Sequence, residues 1–148
     1  MFDKTHIRET LLAMERADLA AAQQSYDAYF GDATTVGDRL FDPEHSATVV
    51  RDRPVLERIE ALVHEHEHHV QTIAAISFGP SLTVGPGAVV QIDDRFVVVA
   101  VPAPEFAYRK VRMIGISTRA PLFNAMKGLR LGDAFEFNHR TYVIRGLW

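Results

Sequence analysis

Two groups of side chains in this 148-residue chain carry chemistry by type and spacing. The first is His64-Glu65-His66-Glu67-His68, which fits the H-E-x-x-H pattern of zinc hydrolases. On a helix, His64 and His68 stand about one turn apart on one side, so both can reach a single metal ion beside Glu65. The second group is acidic: Asp38, Asp42 and Glu44, with Asp32 nearby and Leu40-Phe41 among them. Gly and Asp are also what a plain polar turn uses. Carboxylates at the end of a long rod, however, can carry metal ligands into a deep channel, where Mg²⁺ is held by one or two protein carboxylates plus substrate oxygens.

The elements that must position these groups follow from periodicity. From about Lys4 to Phe30 there is no Pro or Gly, and strong helix formers dominate. Leu12, Leu19 and Tyr26 recur at sevens, with Ala22 and Tyr29 on the same flank. Further on, Leu56, Ile59, Val63, His66, Val70 and Ile73 alternate steps of three and four, the a/d seam of a coiled coil. The pattern predicts an antiparallel helical hairpin over residues 1–76, with the acidic tip at about 31–46. The second helix starts either near Asp52, with Pro54 in its first turn, or near Pro43–Ser46, passing through Pro54. The earlier start leaves a connection of ordinary length and is preferred. The seam leaves His64 and His68 on solvated flanks, where they offer only an opportunistic nickel or zinc site. A catalytic zinc also needs a third ligand and a cleft. His66 is the odd residue, a polar group at a seam position, which can set register at a cost in stability.

Beyond Ser77 the texture changes. Pro80, Gly85, Pro86 and Gly87 mark a linker, and strands follow at 88–92, 96–101 and 110–116. Pro121 to Lys127 reads as a short helix stopped by Gly128, and 134–137 with 141–145 as a closing hairpin around Asn138-His139. The expected class is α+β, with a second domain over 77–148.

Composition narrows the function. Residues 1–76 hold 7 Lys/Arg against 14 Asp/Glu, and residues 77–148 hold 9 against 5. An acidic N-terminal half argues against independent, sequence-specific nucleic-acid binding through it. No apolar run approaches the roughly 20 residues needed to span a bilayer. The N-terminus lacks the order of a signal peptide, and there is no cysteine. A cytoplasmic monomer is expected.

The order strand end, Pro-led helix, Gly stop and Gly-Asp turn over Gly115–Asp133 resembles the C-terminal lobe of the bacterial Gre-type transcript cleavage factors. Their tip runs Gly-Asp-x-x-Glu-Asn-Ala-Glu-Tyr. Here the corresponding stretch is Gly37-Asp38-Arg39-Leu40-Phe41-Asp42-Pro43-Glu44-His45, and in the same register, with no gap in the match, Arg58-Ile59 resembles the Arg-Ile step of the family's second helix. Gly37, Asp38 and Glu44 match, while Phe41 stands where the family has its second essential acid.

That resemblance implies a coiled-coil hairpin followed by an FKBP-like antiparallel sheet with one short helix. It implies bacterial RNA polymerase as partner, with the rod in the secondary channel and Asp38, Asp42 and Glu44 presented to the active site. Thr118, Ala120, Pro121 and Leu122 would dock on the polymerase rim helices. The chain would have no catalytic residues, metal or cofactor of its own, sharing Mg²⁺ with the polymerase. The alternatives are a metal-dependent hydrolase at His64, Glu65 and His68, or a short-rod polymerase regulator of the nucleoside diphosphate kinase regulator type.

Overall fold

The computed structural model describes residues 2–35 and 43–148, with side chains outside residues 30–52. Two long helices come first, α1 (Lys4–Thr35) and α2 (Pro43–Ala75). They are followed by β1 (Val89–Ile92), β2 (Arg95–Ala100), β3 (Ala103–Tyr108), β4 (Val111–Ser117), α3 (Pro121–Met126), β5 (Ala134–Phe137) and β6 (Arg140–Leu147). The class is α+β, a helical region followed by a mixed sheet with one short helix. By contacts the chain divides into two compact units, Met1–Leu12 with Gln71–Trp148, and Ala13–Val70. The start of α1 and the end of α2 thus belong with the sheet, whereas the sequence pattern places a boundary near residue 76.

The sheet has the order β3-β4-β2-β1-β6-β5. All neighbours are antiparallel except β2 and β4, which run parallel, so the expectation of an antiparallel sheet is corrected to a mixed one. The cause is a short crossover. After β2 the chain turns at Val101-Pro102 but does not pair β3 with β2; β4 inserts between them. The turn passes over Gly115, where an added Cβ would lie 2.5 Å from the Val101 carbonyl oxygen and 2.8 Å from Ala103 Cβ. Only a residue without a side chain fits under that arch. β3 was not legible in the sequence because Pro104 lies within it. It is an edge strand with an irregular register between Ala103 and Phe106, where a missing N–H is tolerated.

Both faces of the central strands are covered. Val90, Ile92, Val97 and Val99 point into one layer with Phe123 and Met126 of α3, and Val84, Phe135 and Ile144 join them. Val89, Val98 and Ala100 point the other way, into a layer with Ile7 and Leu11 of α1 and Ile73 of α2. The apolar runs 88–90 and 97–101 follow from this: a strand alternates sides, and along these stretches neither side meets water. The closing hairpin turns through Asn138 and His139, both at positive φ (51° and 64°), the type I′ geometry that fits the strand twist.

The start of α1 is bound tightly to this unit. Asp3 caps the helix, its Oδ1 accepting from the His6 amide at 3.3 Å, while its own amide donates to the Tyr108 hydroxyl at 2.8 Å. Phe2 stacks edge-on to Trp148 at 4.7 Å and to Phe96 at 5.5 Å. Lys4 is only 7% exposed and its ammonium donates to the Gly79 carbonyl, to Ser81 Oγ at 3.2 Å and to the Trp148 oxygen at 2.9 Å. One side chain thus ties the helix start, the linker and the last residue of β6's extension together.

Burial pulls the Lys4 ammonium from 10.5 down to about 8. The unfolded chain then holds this proton over a range where the folded chain has released it. Folding stability relative to a Lys4→Met variant should therefore rise as pH climbs from about 8 to 10.5, and be lowest below that window. Paired urea titrations at pH 7 and pH 10 check the sign, and the ¹³Cε shift of Lys4 checks the midpoint.

Candidate functional site

The buried stripe of α2 follows the predicted seam. Leu56, Ile59, Val63, His66, Val70 and Ile73 are all buried or half-buried, while His64 and His68 are exposed. α2 begins at Pro43 and carries Pro54 internally on an exposed position, in agreement with the earlier of the two starts. On α1 the stripe runs Ile7, Leu11, Glu15, Leu19, Ala22 and Tyr26, in steps of three and four. Tyr29, expected on that flank, is 42% exposed.

Glu15 is the anomaly of this stripe. It is 5% exposed, although a carboxylate in such a position must find partners to offset its loss of water. It finds two on α2. Oε2 lies 2.7 Å from His66 Nδ1, and Oε1 lies 3.1 Å from His69 Nδ1. His66 and His69 are three residues apart and so share a helix face. Their side chains keep 19% and 15% exposure, and their rings meet nearly edge-on at 6.0 Å. Both oxygens of one buried carboxylate are thereby engaged by two imidazoles from the facing helix.

Sequence reasoning flagged His66 but missed Glu15 and His69. The signal existed: a polar residue on the α2 seam needs a polar partner on α1, and Glu15 stands four residues from both Leu11 and Leu19. The H-E-x-x-H pair is not brought into this cluster. His64 is a surface residue that faces Glu67 at 3.7 Å, a contact between side chains 80% and 46% exposed. Among the described residues, the group of three potential ligands is Glu15, His66 and His69, with ligand atoms within 4.8 Å of one another.

The expected acidic tip falls largely outside the described residues. Asp38 and Asp42 lie outside the described residues, as do Gly37 and Phe41, and Glu44 belongs to α2 as backbone with its side chain outside them. Gly31 and Asp32, expected to open the connection, are within α1. A single Gly costs a helix only about 1 kcal/mol relative to Ala, too little to end it alone.

The proposed docking segment sits on a well-defined turn. The Ser117 carbonyl accepts from Ala120 N at 3.1 Å, Ser117 Oγ accepts from Arg119 N at 3.2 Å, and Pro121 opens α3. Thr118 and Pro121 are exposed, whereas Ala120 and Leu122 are half-buried and lean on the apolar layer beneath. Leu122 also lines a groove of about 600 Å³ whose rim carries Asp93, Arg95, Glu105, Arg112 and Arg140. Several of these charges are already paired, Arg112 with Glu105 at 3.1 Å and Arg145 with Asp93 at 3.8 Å. Among the described residues no helix is long and apolar enough to cross a membrane.

No family model and no curated protein matches the chain. Among solved structures, it is similar to that of the transcription factor Gfh1, at 18% identity and a TM-score of 0.38, over 93% of this chain and 92% of that one.

If the Glu15 carboxylate is what the two imidazoles are built around, Glu15→Ala should destabilise the chain by about 1–2 kcal/mol, leaving two half-buried ring nitrogens without their acceptor. The double change His64→Gln with His68→Gln should stay within about 0.5 kcal/mol of the parent, because both are surface positions. Urea unfolding of the three proteins at one pH measures both differences.

Proposed function

We propose that this chain regulates bacterial RNA polymerase in the manner of the Gre-type factors it resembles. The observation that carries the reading is the placement of its acidic motif. Gly37-Asp38 and Asp42 occupy the segment 36–42 between two helices of 32 and 33 residues, the position such a motif needs in order to enter a narrow channel. Within the Ala13–Val70 unit, the stretch of α1 up to Thr35 alone would extend about 35 Å.

In this reading the tip approaches the polymerase active site, and Asp38 helps hold a Mg²⁺ ion that the polymerase supplies. The chain contributes ligands and geometry rather than a reaction of its own. Phe41 has no lone pair to offer where a second carboxylate would stand. Coordination by one well-placed acid is weaker, so occupancy of the channel without efficient transcript hydrolysis is the expected behaviour. Asp42 is the nearest other carboxylate in sequence, but it stands one position beyond the one where the second acid would be. The turn at Thr118–Pro121 supplies the contact with the enzyme's surface, supported by its exposure and by the excess of basic residues over 77–148.

Two measurements test the proposal. Purified RNA polymerase core should be retained by the chain in a pull-down, and a Thr118→Glu, Arg119→Glu variant, altered only at exposed positions, should lose at least tenfold in affinity. No retention of polymerase would remove the assignment.

The tip is tested separately in stalled elongation complexes. Phe41→Glu should raise cleavage of backtracked RNA, and Asp38→Ala should abolish whatever cleavage the parent supports. Robust cleavage by the parent that survives Asp38→Ala would refute the role given to the tip.

A further inference from the structure

We infer that Glu15, His66 and His69 form a binding site for a divalent first-row transition ion, with Zn²⁺ the ion their donor set suits best, and that the ion ties α1 to α2. The site owes nothing to the polymerase reading and stands or falls apart from it.

Three features carry the inference. The donors are of the right kind, one carboxylate and two imidazoles, a set that leaves a fourth position for water on a tetrahedral ion. They are also close together. All three ligand atoms lie within 4.8 Å of one another, and the two oxygen–nitrogen separations are 2.7 and 3.1 Å. A tetrahedral ion with bonds of about 2.0 Å asks for ligand separations of about 3.3 Å. The two observed distances, each to a different oxygen of Glu15, fall short of that value by about 0.2–0.6 Å, so small side-chain rotations that part the donors suffice. Finally, the site is enclosed but reachable. Glu15 is 5% exposed, which strengthens its attraction for a cation, while the two rings keep enough exposure to admit an ion and a water.

The same sequence places His64 and His68 on the outer surface of α2. Surface histidines bind metals weakly and without cross-linking anything. The buried site differs because its ligands come from both helices, so the folded unit holds the ion more tightly than the unfolded chain does. The H-E-x-x-H match in the sequence thus directs attention to the correct helix and the wrong face.

The test uses the full-length chain without an affinity tag, freed of metal with EDTA. Titration with Co²⁺ should give one equivalent of visible absorption typical of a tetrahedral site, and Zn²⁺ should displace it. The His64→Gln, His68→Gln double variant should behave as the parent. His66→Gln and His69→Gln should each weaken Zn²⁺ binding at least tenfold, with circular dichroism recording that the helices persist.

Should either single variant unfold, the parent alone decides. Addition of Zn²⁺ should shift the Nδ1 resonances of His66 and His69 in ¹H–¹⁵N spectra and leave those of His64 and His68 in place. The inference is overturned if the parent binds no stoichiometric Co²⁺ or Zn²⁺ at tens of micromolar. It is equally overturned if binding is lost in the His64, His68 variant, or if Zn²⁺ shifts only those two rings.

Discussion

The constraint on which the sheet-bearing unit depends is that residues 97–100 of β2 meet no water on either side. Val97, Val98, Val99 and Ala100 are each at most 3% exposed. Burying each valine contributes about 1.5–3 kcal/mol, but only if both faces receive a cover. One cover is local, because α3 follows β4 directly and lays Phe123 and Met126 on the sheet. The other comes from far away in sequence: Ile7 and Leu11 from the first turns of α1, Ile73 from the last turns of α2. This is why a helical region and a sheet cannot be cut cleanly at residue 76. The sheet's second face is made of helix ends, and Lys4 and Phe2 hold the first of those ends in place.

Lys4 illustrates how such a fastening works. A charged group so deeply placed would be a net liability without acceptors, and burial alone lowers its affinity for a proton. Three oxygens from two distant segments satisfy its three donors. The arrangement is directional in a way apolar packing is not, since only one rotation and one depth of the helix start reach all three oxygens.

How much of this was legible follows from which physical signals are local. The seam of α2, the strands β1, β2, β5 and β6, the turn at Asn138-His139 and the Pro-led α3 are written in spacing and turn residues, and the structure places them within a residue or two. β3 was not legible because Pro104 reads as a breaker until its edge position is known. The parallel β2–β4 pairing was not legible either. Pairing order is a tertiary choice, and its trace in sequence is one glycine, Gly115, that looks like any other. Glu15 was hidden for a different reason: a single acid in a helix is nearly always solvated, and only the position of its partners makes it otherwise. The acidic motif at Asp38 and Asp42 lies outside the described residues, between the end of α1 at Thr35 and the start of α2 at Pro43.

The Glu15 cluster raises the question of why an apolar stripe keeps a carboxylate and two imidazoles. Three aliphatic side chains of similar volume would bury more apolar surface with no desolvation cost, and replacing buried ionic groups in this way is often neutral or stabilising. Stability alone therefore does not account for them. What the polar set adds is selectivity among pairings of α1 and α2. A slip of the helices by one turn would leave apolar contacts broadly intact, because Leu, Ile and Val are interchangeable against one another. The same slip would strand a buried carboxylate against hydrocarbon, at a cost of several kcal/mol. One register is thus favoured by penalising the others. A metal ion held by the same three ligands would reinforce that register by bonding across it. The same polar group would then fix helix pairing in the absence of metal and strengthen it in its presence.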